Sequence, residues 1–293
     1  MIHIARKNSS QRIKLAKGLS LIEMMISITL GMVIILGLTS VYLSSQKSSV
    51  TRDAISGMEA NARIAFSGVR QIIEHAGYPS IYNVPLEKPF HTPVDGAIDV
   101  SARCRDGTEK LVKPSSISNR FTQDSGTRDN IVVKYMADNP ADDNAEIITD
   151  CTGGIVPTGC SADPDVGMYN PITAVVYNAL YITNKQVLTC AGSRNTIPQP
   201  IAENISFMQF LYGVNTGVGT SYLTATEVET NNQWEMVTSV QIAILVRSAG
   251  NVLQINTQRQ FLLLDEKLTR NDKHLYRSYS TTINLPNRNR RVL

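Results

Sequence analysis

The hydrophobic pattern divides the chain into three stretches. Residues 24–46, MMISITLGMVIILGLTSVYLSSQ, hold no charged side chain in 23 positions. About 20 apolar residues in a helix cross a bilayer core, so 24–43 is long enough to span one. Charge returns after Gln46 with Lys47, Arg52, Asp53, Glu59, Arg63, Arg70 and Glu74. Apolar positions now recur at Ile55, Met58, Ala62, Ala65/Phe66, Val69, Ile72/Ile73 and Ala76. Steps of three and four mark one stripe of a helix. Gly77-Tyr78-Pro79 then supplies a glycine for the C-terminal turn and a proline that cannot continue it. The pattern predicts one helix over residues 19–76, about 87 Å long at ~1.5 Å per residue. Its first half, 19–46, is apolar all round, and its second half, 47–76, is amphipathic.

Beyond Tyr78 the periodicity changes. Residues 79–130 are rich in Pro, Ser, Asp, Asn and Gly and read as loops with short strands or a turn of helix. Strand-like stretches follow at 131–136, 172–177, 179–183, 186–190, 205–212, 236–246 and 253–263. Asn184-Lys185 separates two of them by a hairpin-length gap. Alternation is clear where Val237, Ser239, Gln241, Ala243 and Leu245 fall on one side and Val240, Ile242, Ile244 and Val246 on the other. The expected fold class is α+β: a long N-terminal helix packed on an antiparallel sheet domain over 77–293, with a loop-rich insertion at 79–200.

Composition and charge narrow the function. The net charge is +3, but Arg6, Lys7, Arg12, Lys14 and Lys17 occur in a leader without acids, and the rest of the chain is near −2. A generally basic, nucleic-acid-coating surface is therefore disfavoured. The four His show no HExxH or His/Cys metal spacing, and there is no P-loop, GxSxG or GxGxxG. No catalytic residue and no cofactor is expected. The five leading cations predict a cytoplasmic N-terminus, with the remainder of the chain across the membrane. No second run of this kind occurs, so one anchor is expected.

A secretory signal, a plain anchor and a prepilin leader compete for this segment. Glu23 bears on the choice, because a carboxylate heading an apolar run is costly and gives the first two nothing. Lys17-Gly18-Leu19-Ser20-Leu21-Ile22-Glu23-Met24 resembles the type III signal of type IV prepilins and type II secretion pseudopilins. The resemblance implies cleavage by prepilin peptidase between Gly18 and Leu19, N-methylation of Leu19, and Glu23 at the fifth mature position. Leu19 stands where Phe is usual, which bears on the efficiency of processing. Gly18 lets a membrane protease approach the backbone closely. In a filament, Glu23 would need a partner among apolar helices, and the resemblance supplies the N-terminal amine of the neighbouring subunit. Many major pilins carry a Pro within this helix, and here there is none.

Three C-terminal stretches sharpen the resemblance. ISFMQFLYG at 205–213 and VQIAILVRS at 240–248 are similar to strands of PilW-like minor pilins, and YRSYSTTI at 276–283, followed by Asn287-Arg288, to their terminal motif. The J-type pseudopilins of type II secretion share the general plan. The resemblance implies a structural minor pilin that helps prime pilus assembly in a tip or initiation complex, supporting adhesion and twitching motility. Its partners would be other minor pilins, the major pilin, prepilin peptidase, the inner membrane and a pilus-tip adhesin. It would reside first in the inner membrane with a periplasmic domain, then in the pilus. From another class, a single-pass membrane-anchored sensor or enzyme would need a cleft with converging titratable groups.

Four cysteines lie beyond the anchor, at 104, 151, 160 and 190, and an even count outside the cytoplasm reads as disulfides. Three pairings are possible. Cys151–Cys160 closes a short loop holding Gly153, Gly154, Pro157 and Gly159, which leaves Cys104–Cys190 to tie the loop region to the sheet. This pairing is the favoured one. Asp138, Asp142, Asp143, Asn144 and Glu146, with Asp163 and Asp165, are rich in oxygen, yet lack EF-hand spacing and read as solvated loops without metal. The basic residues Lys267, Arg270, Lys273, Arg277, Arg288, Arg290 and Arg291 read as a solvated tail or subunit contact rather than a DNA site.

Overall fold

The computed structural model describes residues 20–79, 86, 88–96, 117, 120–124, 128–138, 144, 147, 149–154, 174–193 and 197–289. The first element is α1, Leu21–Glu74, 54 residues without interruption. Compactness separates two units, Met1–Thr51 and Arg52–Leu293.

Within the second unit, α1 buries the stripe anticipated from its spacing. Met58, Ala62, Ala65, Val69, Ile72, Ile73 and Ala76 are all buried. Small side chains along the stripe let strands come close: a Cβ on Gly68 would sit 2.6 Å from Ile201 Cγ2. The helix ends at the foreseen glycine. Gly77 adopts φ +70°, which suits a residue without Cβ, and its N–H reaches Lys134 O at 3.0 Å.

The strands form two antiparallel four-stranded sheets. The first has the order β1-β2-β3-β4, built from Ile131–Ala137, Ala174–Ile182, Leu188–Gly192 and Gln199–Ala202. The second has the order β10-β7-β5-β6. Here β5 is Ile205–Asn215, β6 Thr220–Leu223, β7 Val237–Arg247 and β10 Tyr276–Asn284. A short helix α2, Ala225–Thr230, lies between β6 and β7, capped by Thr224 and by the Asp124 carboxylate, which accepts from Ala225 N and Thr226 N. A separate hairpin pairs β8, Thr257–Leu263, with β9, Glu266–Asp272, and the chain turns into α3, Pro286–Asn289, after β10. One core cluster joins the helix stripe to both sheets, centred on Phe90, Tyr212 and Trp234 with ring centroids 4.9–5.7 Å apart. A smaller cluster places Leu263 of β8 against Phe207, Leu245 and Tyr276, so the hairpin covers part of the second sheet. Asp129 ties the two sheets, donating its N–H to Met208 O at 3.0 Å and accepting from Phe210 N at 3.1 Å.

The α+β arrangement matches expectation, with differences of detail. The stretches 172–177 and 179–183 are read as two strands, but the described residues Ala174–Ile182 form one, running through the buried Asn178. Within 79–200 the anticipated strands form β1 to β3, which Gln199–Ala202 completes as the first sheet. The stretch from Lys267, read as a solvated tail or a subunit contact, is no free tail: as far as it is described it folds as most of β9, β10 and α3. Strand pairing, not solvent, takes up its backbone.

Candidate assembly interface

The N-terminal half of α1 is long and apolar enough to cross a membrane, with mean hydropathy 2.3 in its most apolar window and no residue of that window buried. Leu21, Ile28, Ile34, Leu36 and Val41 are all exposed. Four of its hydroxyls are turned inward on the helix backbone. Ser27 and Thr39 donate to the carbonyls of Glu23 and Ile35, at 2.7 and 2.8 Å, and Thr29 and Ser40 to those of Ile26 and Gly37, both at 2.9 Å. Such back-bonding lets Ser and Thr sit on an apolar rod without an unmet donor. Glu23 occupies the first turn, where a carboxylate meets the positive end of the helix dipole. Gly18 and Leu19, the expected cleavage and methylation sites, lie outside the described residues.

At its other end the helix is locked by residues far along the chain. Asn287 donates its side-chain amide to Glu74 O at 3.0 Å, meeting a carbonyl that a helix end leaves open. The neighbouring Arg288 is buried, 4% exposed, and donates to Leu86 O at 2.9 Å and Glu235 O at 2.5 Å. Its Cδ lies 3.0 Å from where a Cβ on Gly77 would fall, a second reason for glycine there. Arg277 on β10 pairs with Glu59 at 2.8 Å, both half-exposed. Arg277 and Arg288 are thus internal fasteners of this unit, not members of a free basic tail. Arg290 and Arg291 lie outside the described residues.

A cleft of about 260 Å³ opens beside the helix end, lined among others by His75, Tyr135, Asp150, Asn178 and the Cys151–Cys190 disulfide. Its polar groups are turned on one another. Tyr135 donates its hydroxyl to Thr149 O at 2.7 Å, and Asn178 donates to the Tyr135 oxygen at 3.1 Å while accepting from Cys151 N at 3.0 Å. Asp150 accepts from Thr152 N and Gly154 N, both at 2.9 Å, which folds residues 150–154 into a tight turn. A Cβ on Gly192 would lie 2.1 Å from Asp150 Oδ2, so this turn rests on bare backbone of β3. Burial pushes the His75 imidazole below its ordinary pKa, with Glu74 opposing. Burial does the same to His91, against Asp95 and the Gly96 carbonyl, which lies 2.9 Å from its Nε2.

The disulfide corrects the sequence reading. Cys151 pairs with Cys190, Cα atoms 6.4 Å apart, so neither Cys151–Cys160 nor Cys104–Cys190 forms. The reason is the turn just described. Asn178 and Tyr135 hold residues 149–154 against β2, which delivers Cys151 to the neighbouring β3. Cys104 and Cys160 lie outside the described residues. Among the described residues no cluster of His, Cys, Asp or Glu is arranged for a metal. Asp138, proposed in an oxygen-rich loop, is buried and accepts from Tyr78 OH at 3.0 Å and Ile147 N at 3.3 Å. Of that loop's other acids, Asp142, Asp143 and Glu146 lie outside the described residues, as do Asp163 and Asp165. The structural importance of Tyr135 and Asn178 was missed; a lone Asn within an apolar strand was the available signal.

Residues 173–287 match the family described as Type IV Pilus-assembly protein W, PilW. This stretch of the chain is similar to that pilus-assembly family. The matched stretch runs from the start of β2 through β10 to Asn287, and so includes the residue that caps α1. Among solved structures, a type IV-like pilin from Thermus thermophilus aligns at 10% identity and a TM-score of 0.33, over 56% of this chain and 82% of that one. No curated protein matches the chain.

Proposed function

We propose that this PilW-like chain is a minor subunit of a type IV pilus, a structural protein without turnover that primes assembly within a tip or initiation complex and so supports adhesion and twitching motility. The observation that carries this reading is the match of the sheet region to a pilus-assembly family on a chain whose first helix is uncharged over 24–46. The leader places the N-terminus in the cytoplasm and the sheet unit in the periplasm. Prepilin peptidase cuts between Gly18 and Leu19, and the new amine is methylated. Glu23 then pairs with the N-terminal amine of a neighbouring subunit, which fixes axial register because a slipped subunit leaves a carboxylate unpaired among apolar helices. Other minor pilins, the major pilin and a tip adhesin are its neighbours in the filament.

Intact-mass measurement of protein extracted from membranes tests this reading. The expected product lacks residues 1–18 and carries one added methyl, and Gly18→Val accumulates as precursor. A chain that keeps its leader, or is cut after the apolar run, overturns it.

A further inference from the structure

Where the β8–β9 hairpin meets the second sheet, three arginines come to one place. Arg259 and Arg270 stand directly opposite each other in the hairpin register. Both lie on the hairpin face that packs on the sheet. Phe261, Leu263 and Leu268, at even-numbered steps along the same strands, join the cluster around Phe207, Leu245 and Tyr276. Arg247 stands opposite Tyr276 in the β7–β10 register and two residues from Leu245, so it shares that face of the sheet. The Arg259 guanidinium lies 5.6 Å from the centre of the Tyr276 ring. Burial and Asp272 push the Tyr276 hydroxyl up to about 12, while the charges of Arg270 and Arg247 act on it in the opposite sense. All three cations therefore gather around one tyrosine.

The fold does not neutralise this cluster. Asp272 on β9 is already engaged, accepting from His274 N on Oδ1 at 2.9 Å and from the Tyr276 hydroxyl on Oδ2 at 2.6 Å. None of the three arginines makes an ion pair with a described carboxylate. The Arg259 guanidinium donates to His274 O, and that of Arg270 to Thr269 O at 3.2 Å. The Nε atoms of Arg247 and Arg259 are buried and meet no acceptor among the described residues. Like charges facing each other across a ladder weaken it. A buried donor without a partner is a further cost. An anion between the guanidinium groups relieves both.

We propose that the junction of the β8–β9 hairpin with β7 and β10 binds a phosphate dianion, free or as a phosphomonoester, held by Arg247, Arg259 and Arg270. Three cations against the one carboxylate of Asp272 leave an excess of two positive charges. A phosphomonoester carries close to two negative charges at pH 7 and matches that excess, whereas a single carboxylate does not. Planar guanidinium forks also match phosphate oxygens two at a time. The three arginines are half-buried, so the ligand reaches them without the hairpin unfolding. Once bound, it ties hairpin to sheet, adding to the apolar contacts of Phe261 and Leu263. The site stands independently of the chain's place in a pilus.

Titration calorimetry of the full-length chain in an uncharged detergent tests this, at fixed ionic strength so that general screening stays constant. The probes are inorganic phosphate, glycerol 3-phosphate and acetate. The expected result is saturable binding of inorganic phosphate, glycerol 3-phosphate or both, with acetate at least tenfold weaker. Preference for inorganic phosphate assigns the free ion, and preference for glycerol 3-phosphate assigns an ester-borne group. R247Q and R270Q should each weaken binding at least tenfold. R277Q, altered on the other face of β10 where Arg277 pairs with Glu59, should bind like the unmodified chain. Thermal unfolding separates binding from a structural role. Without phosphate, R270Q should melt no lower than the unmodified chain, because it removes the opposition of Arg259 and Arg270. Saturating phosphate should raise the midpoint of the unmodified chain and not that of R270Q. The proposal is overturned by no saturable binding of either phosphate probe, by acetate binding as tightly, or by R247Q and R270Q binding as well as the unmodified chain. It is equally overturned if phosphate leaves the unmodified chain's midpoint in place and R270Q melts below it, which would make these arginines structural.

Discussion

The two halves of α1 have the same backbone and opposite fates. In the first, side chains such as Ile34 and Leu36 point outward with no protein around them. In the second, every third or fourth side chain from Met58 to Ile73 is enclosed by the sheets. A helix apolar on all sides takes its stability from surroundings outside the chain, whereas an amphipathic one takes it from its own domain. The same residue type therefore answers to different partners in the two halves. Isoleucine is an exposed side chain on an apolar rod at position 34 and a core side chain at position 73.

Breaking the contrast from the first half has the largest expected effect. Glu23→Ala should insert normally and be processed, yet lose its pairing with the adjacent amine. Removing one member of a buried pair costs ~3–5 kcal/mol, and each 1.4 kcal/mol is about tenfold in occupancy. Surface pili should fall by orders of magnitude at unchanged membrane level, counted by electron microscopy beside an immunoblot. Normal piliation would remove Glu23 from the assembly contact.

A matched pair of truncations sharpens the contrast directly. Ile73→Ala should cost the sheet unit about 2–5 kcal/mol, because it leaves a cavity beneath both sheets. Ile34→Ala should leave thermal unfolding of the detergent-solubilised protein unchanged and reduce pilus incorporation instead. Equal shifts in the melting midpoint for both variants would erase the distinction.

The smallest effect is on pH and belongs to the sheet-bearing unit around the helix end. The His75 and His91 imidazoles are both held below their ordinary range by burial. The unfolded chain then binds more protons than the folded one below about pH 6.5, so stability rises with pH through this window. It is complete above the unfolded value and is lost as pH falls through the lowered folded values. The unfolding midpoint should drop on going from pH 7.5 to 5.5, and the double variant H75Q/H91Q should flatten that dependence. An equally steep dependence in the variant would place the titration elsewhere.

The sequence made the helix legible because its periodicity is carried by many residues and closed by Gly77. Strands β5 and β7 were legible for the same reason, as both are long and apolar. What escaped reading lacks a repeated signal. Strand β10 alternates Tyr, Ser and Thr with little apolar contrast, and the β8–β9 turn uses Leu264 at φ +52° where a glycine would have announced it. Asn178 made one strand look like two, since an isolated polar residue in a β pattern reads as a break until Tyr135 and Cys151 are seen to bond it. The cysteine pairing failed on principle: spacing favours the nearest partner, whereas connectivity follows from which strands lie side by side. Glu23 stood out from the sequence because a carboxylate at the head of an apolar run demands a reason.

The bond from Asn287 to the Glu74 carbonyl has a consequence for the timing of biogenesis. Its two ends are 213 residues apart in the chain. Contacts of such separation form late, because the intervening chain must first be closed into a loop. The turns of the first helix can thus form while its last carbonyl still waits for a cap made 213 residues later. A chain cut or stalled before Asn287 leaves Glu74 O without this partner, at the place where the helix meets the sheets.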